Sequence, residues 1–146
     1  MGYAGCCAPP KNYTQYSTLL TELGMALIGR YGLTRASTFR FEIWNELDCL
    51  NSTEYHAIYE AAARGLKAAS LELLVGGPAT SCGDGWAEPS HPQQGRLFLE
   101  FVRENDVPID FFSSHVYANK TWTGWVGRAS VVVQGVHNAT KLMDEF

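Results

Sequence analysis

Three short apolar runs at nearly even intervals constrain this chain more than any other feature. Residues 38–46, 73–78 and 109–115 are rich in aromatic or branched side chains, and each stops abruptly at polar or turn-forming residues. Between them lie stripes whose apolar residues fall three and four apart, the spacing of one face of a helix. Strands that recur every 30 to 40 residues with a helix between them cannot close as hairpins. They require crossover connections, and crossovers make a parallel sheet. The order read from the sequence is α-β-α-β-α-β-α, an α/β chain.

The helices can be placed from their stripes. Tyr13, Tyr16, Leu19, Leu20, Leu23, Leu27 and Tyr31 mark the first, and Gly32 ends it. Ser52 or Thr53 is expected to cap the second, with Tyr55, Ile58, Tyr59, Ala62 and Leu66 facing inward. Leu97, Phe98, Phe101 and Val102 give the third helix its apolar face, and Ala129 to Met143 carry a fourth stripe. Residues 1–10 read as an irregular N-terminal segment and 80–93 as a long polar loop. Three strands do not close a barrel, since a (β/α)8 barrel takes about 250 residues. Residues 1–146 are therefore expected to be a fragment of one such catalytic barrel, or else a small open sheet. The chain starts in the run-up to a helix and stops inside one, which favours a piece of a longer domain. Uncovered strand edges and helix faces would make such a piece self-associate or need a complementary part.

Composition narrows the function. With 11 basic residues against 15 acidic and a net charge of -4, there is no nucleic-acid surface to expect. No apolar run approaches the roughly 20 residues that span a bilayer, so no membrane partner is expected. Cys6, Cys7, Cys49 and Cys82 fit neither a C-x-x-C motif nor zinc spacing, and no P-loop, G-x-G-x-x-G or metal-spaced histidine pair occurs. No cofactor and no metal are expected. Four of the six asparagines, Asn12, Asn51, Asn119 and Asn138, open N-x-[S/T] sequons, which points to a secreted or lysosomal parent protein. The absent signal peptide then implies residues upstream of Met1.

Right-handed crossovers bring the C-terminal ends of parallel strands to one rim. Glu46, Gly77-Pro78 and His115-Val116-Tyr117 all stand at such ends. A carboxylate at the end of a buried parallel strand is where barrel enzymes carry out chemistry, and Asn45 beside it can hold a sugar hydroxyl. By spacing alone, a strand-end glutamate is more often a surface or ion-paired residue. His115 equally fits a core histidine satisfied by backbone. Glu42 and Asp110 read as structural, and Cys49 with Cys82 as a feasible loop-to-loop disulfide. Trp86, Trp122 and Trp125 lie where a sugar face could stack, whereas Trp44 is expected to pack inside.

Five segments then carry a family resemblance: Pro9-Pro10-Lys11-Asn12-Tyr13, Leu27-Ile28-Gly29-Arg30-Tyr31-Gly32-Leu33, Phe41-Glu42-Ile43-Trp44-Asn45-Glu46, Val75-Gly76-Gly77-Pro78-Ala79 and Pro108-Ile109-Asp110-Phe111-Phe112-Ser113-Ser114-His115. In this order they resemble glycoside hydrolase family 39, the retaining β-xylosidases and α-L-iduronidases. The resemblance implies a partial (β/α)8 TIM barrel comprising strands 4 to 6 with flanking helices, and a carbohydrate substrate. It makes Glu46 the general acid/base and Asn45 the hydroxyl-positioning residue, with His115 and Tyr117 lining the glycone pocket and Trp86 on its rim. Leu47 departs from the proline that usually follows the catalytic glutamate.

A retaining glycosidase needs a second carboxyl about 5–5.5 Å from the first, as nucleophile. The family carries it on the seventh strand, beyond Phe146, so the 146-residue chain is expected to be inactive by itself. The run His115-Val116-Tyr117-Ala118 lacks the Lys or Arg that a uronate carboxylate would need. This favours a neutral sugar and β-xylosidase-like exo-hydrolysis. The alternatives are an α-L-iduronidase-like fragment acting on glycosaminoglycan and a non-catalytic carbohydrate-binding remnant.

Overall fold

The computed structural model describes residues 8–46, 50–80, 94–115 and 129–146, excepting some side chains of the last helix. Its elements follow in the order α1 (Tyr13–Tyr31), α2 (Leu33–Ala36), β1 (Arg40–Glu42), α3 (Ser52–Ala69), β2 (Leu74–Thr80), α4 (Gln94–Glu104), β3 (Phe111–Ser114) and α5 (Ala129–Met143). The three strands form a parallel sheet in the order β1-β2-β3. The alternating α/β reading therefore holds, with one short additional helix, α2.

Local chemistry explains the helix bounds. Asn12 caps α1 by accepting the Gln15 amide at 2.9 Å, and Gly32, at φ 76°, ends it while donating to the Ile28 carbonyl. The cap of α3 is Asn51, one residue before the expected Ser52. Its side chain accepts the Glu54 amide at 2.9 Å while Glu54 accepts the Asn51 amide at 3.2 Å, a reciprocal capping box. Two of the four sequon asparagines thus have a helix-capping role.

The inner face of α3 is as the stripe predicts. Tyr55, Ile58, Tyr59, Ala62 and Leu66 are all buried, joined by Val75 of β2 and Phe98 of α4 in one core. Both α3 and α4 pack on β2, and α1 packs on α3. That last contact is very close: a Cβ on Gly65 would lie 2.3 Å from the Ser17 carbonyl oxygen, and Thr21 Oγ1 donates to the Gly65 carbonyl at 2.9 Å. The α1 stripe divides as a result. Tyr13, Tyr16 and Leu20 meet the core, joined by Ile28 from outside the expected stripe, whereas Leu19, Leu23 and Tyr31 are exposed. In α4, Leu99 is buried and Leu97 is exposed, because the buried arc is rotated from the face inferred from sequence.

At the N-terminal edge of the sheet, Asp110 binds β2 and β3 together. Its Oδ2 accepts the Val75 amide at 2.7 Å and pairs with Lys67 Nζ at 2.8 Å, while its own amide donates to the Val75 carbonyl. Lys67 also donates to the Leu71 and Leu73 carbonyls. This is the structural role expected of Asp110. Glu42, by contrast, is exposed and joins no ion pair among the described residues. No helix among the described residues is long and apolar enough to cross a membrane.

Candidate active site

The first strand is shorter than the expected 38–46, and the reason bears on the site. Regular pairing ends at Glu42, although the Ile43 amide still donates to the Gly76 carbonyl at 3.0 Å. Trp44 then takes φ 75° and Glu46 φ 50°, left-handed conformations that few non-glycine residues adopt. The Glu46 amide rejoins the sheet by donating to the Ala79 carbonyl at 3.0 Å. The Trp44 side chain packs against the core, as its position suggested.

On the far side of β2, the His115 amide donates to the Thr80 carbonyl at 2.8 Å, prolonging β3 by one residue. The ends of the two outer strands are thus each anchored to β2, and their side chains meet. Glu46 Oε1 lies 3.0 Å from His115 Nδ1. The two side chains are 32% and 29% exposed respectively, open enough to reach solvent yet walled by the sheet.

At this separation the two groups form a hydrogen bond, in which Nδ1–H donates to the carboxylate or Nδ1 accepts from the carboxylic acid. Such a pair can deliver and recover a proton at one place, which is the work of a general acid/base. His115 is therefore oriented on a carboxylate, an arrangement that neither sequence reading of it foresaw.

Asn45 is exposed beside this pair. Tyr117 and Trp86, together with Trp122, Trp125, Cys49 and Cys82, lie outside the described residues. Three side chains to which sequence reading assigned no role at the rim also stand here. Thr80 and Ser114 are register partners at the ends of β2 and β3, and their hydroxyls are buried without a hydrogen-bond partner among the described residues. The third is Tyr55, whose hydroxyl donates to the Ile43 carbonyl at 3.0 Å, directly before the left-handed turn. The only sequence sign for Tyr55 was its place on the α3 stripe. Among the described residues no cluster of three His, Cys, Asp or Glu could hold a metal ion.

Several known glycosidases are similar to this chain. The chain is 36% identical over 125 residues to a β-xylosidase of Geobacillus stearothermophilus, covering 81% of this chain and 23% of that protein. It is 30% identical over 135 residues to human α-L-iduronidase, covering 84% of this chain and 20% of the relative. Among solved structures, a monomeric β-xylosidase from Caulobacter crescentus CB15 superposes with a TM-score of 0.78 at 27% identity, over 95% of this chain and 29% of that one. The chain thus spans about a quarter of the length of these proteins, and its three-stranded parallel sheet with flanking helices is consistent with part of their barrel. A sequence profile of the glycosyl hydrolases family 39 matches residues 2–143, nearly the whole chain, and the chain belongs to that family.

Proposed function

We propose that these residues form the acid/base portion of a retaining, β-xylosidase-like exoglycosidase. In this reading β1, β2 and β3 are the fourth, fifth and sixth strands of a single catalytic barrel. The observation that carries it is the 3.0 Å contact between Glu46 and His115 at the strand ends. Glu46 protonates the departing glycosidic oxygen as the bond to the anomeric carbon breaks. It then takes the proton from the water that releases the sugar.

His115, bonded through Nδ1, fixes which carboxyl oxygen faces the substrate and steadies the carboxyl in both protonation states. Asn45 holds a hydroxyl next to the reacting carbon, and Tyr117 and Trp86 line the sugar pocket. The nucleophile is supplied by the seventh strand of the barrel. The parent protein is secreted or lysosomal, in keeping with its sequons, and its partner is a carbohydrate.

A neutral sugar is favoured over a uronate for two reasons. The run after His115 carries no basic residue until Lys120, and the β-xylosidases match at 36% and 38% identity against 30% for human α-L-iduronidase.

The test is a chimera in which these residues replace the matching segment of the Geobacillus β-xylosidase. It is expected to hydrolyse an aryl β-xyloside in preference to an aryl iduronide. Glu46→Gln should lower kcat/KM by about 10²- to 10⁴-fold for substrates with poor leaving groups. Hydrolysis indifferent to that substitution would refute the assignment, and sugar binding without hydrolysis would favour a non-catalytic role.

A further inference from the structure

Tyr55 is fully buried on α3, with its ring against Tyr59 and Phe98. Core packing accounts for the ring but not for the hydroxyl, which reaches past β2 to the Ile43 carbonyl at 3.0 Å. Ile43 is therefore held at both backbone groups, its amide by the Gly76 carbonyl and its carbonyl by the phenol. The next residue, Trp44, begins the excursion through φ 75° and, at Glu46, φ 50°, which ends where the Glu46 amide meets the Ala79 carbonyl. A left-handed turn in non-glycine residues persists only where its surroundings over-determine it.

The path of the hydroxyl depends on one glycine. A Cβ on Gly77 would lie 2.4 Å from the Tyr55 hydroxyl oxygen, so any larger residue there would push the phenol off Ile43. By contrast, the hydroxyl of the neighbouring Tyr59 donates to the Pro108 carbonyl at 3.0 Å, away from β1.

We infer that Tyr55 is a positioning residue for Glu46: by holding the Ile43 carbonyl where β1 ends, its hydroxyl fixes the turn that carries the Glu46 carboxyl to His115. The catalytic consequence rests on the acid/base reading of Glu46, whereas the geometric claim can be tested without it.

The experiment reads the ¹⁵N resonance of His115 Nδ1 in the 146-residue chain by long-range side-chain NMR. Glu46→Gln sets the value for an imidazole deprived of its carboxylate. Tyr55→Phe and Gly77→Ala should move the resonance most of the way to that value, and Tyr59→Phe should leave it at the wild-type position. Replacing Tyr55 with 4-aminophenylalanine, which restores a donor at the ring para position, should return it. The inference is overturned if Tyr55→Phe leaves the resonance unmoved, or if Tyr59→Phe moves it equally far. A misreading of Glu46 as the acid/base would show differently: the resonance shifts would persist while hydrolysis by the chimera ignored Glu46→Gln.

Discussion

Glu46 and His115 are 69 residues apart in the chain and stand at the ends of the two outer strands, yet a carboxylate oxygen of one lies 3.0 Å from Nδ1 of the other. The central strand sets this spacing through two backbone bonds, Glu46 to the Ala79 carbonyl and His115 to the Thr80 carbonyl. Parallel pairing alone would leave the two side chains a strand apart. The left-handed turn at Trp44 and Glu46 closes the gap, so the site depends on a conformational irregularity as much as on the regular sheet.

The bond network at the opposite edge should be a principal source of stability. Lys67 is nearly buried and serves Asp110 and two carbonyls, and Asp110 in turn holds the Val75 amide. Lys67→Met would leave a carboxylate and two carbonyls without their cation. We expect a loss of about 2–3 kcal/mol in urea unfolding. A loss below about 0.5 kcal/mol would mean that solvent replaces the ammonium at little cost.

The α1–α3 contact predicts a sharp response to one methyl group. Because a Cβ on Gly65 would meet the Ser17 carbonyl oxygen at 2.3 Å, and neither helix backbone can yield locally, Gly65→Ala should cost about 1–3 kcal/mol through overpacking. This outweighs the gain in helix propensity of about 1 kcal/mol that alanine brings. A stabilised Gly65→Ala variant in thermal unfolding would contradict the close packing of the two helices.

His56 should make the fold sensitive to mild acid. Burial holds its pKa below the usual 6.5, and its ring stacks on Phe101 at 4.3 Å. The folded state therefore favours the neutral imidazole, and the unfolded chain binds the extra proton first. The contribution of His56 is present above pH 6.5 and is lost as the pH falls through the depressed folded value. Thermal midpoints should decline between about pH 7 and pH 5, and His56→Leu should flatten that decline. An equal slope in the two proteins would remove His56 as its cause.

The buried hydroxyl of Thr80 offers a test in the opposite direction. With no hydrogen-bond partner among the described residues, it contributes desolvation cost and no compensating bond, so Thr80→Val should raise stability by about 1 kcal/mol. Destabilisation by a similar amount would indicate a bound water or a polar partner at this hydroxyl.

Much of the fold was legible because periodicity reports burial directly. The α3 stripe from Tyr55 to Leu66, the break at Gly32 and the parallel strand order all follow from spacing and backbone chemistry. Glu46 could be singled out as a candidate for a different reason, its place at the end of an apolar run within a family motif. What escaped the sequence depends on directions that spacing does not encode. The 38–46 run reads as one straight strand, since nothing in Trp44-Asn45-Glu46 requires positive φ. The expected α1 stripe includes Leu19 and Leu23, since exposure depends on which neighbours are present. The Tyr55 bond joins a helix to a strand end, and no local pattern announces it.

The most direct test of the central claim is azide rescue of Glu46→Ala in the chimeric barrel. A general acid/base removed in this way leaves the enzyme able to form its glycosyl intermediate from a substrate with a good leaving group, but slow to release it. Azide, needing no base, should then restore turnover of an aryl β-xyloside and yield the β-xylosyl azide. Turnover that azide leaves unchanged, or a product azide of α configuration, would contradict the assignment of residue 46.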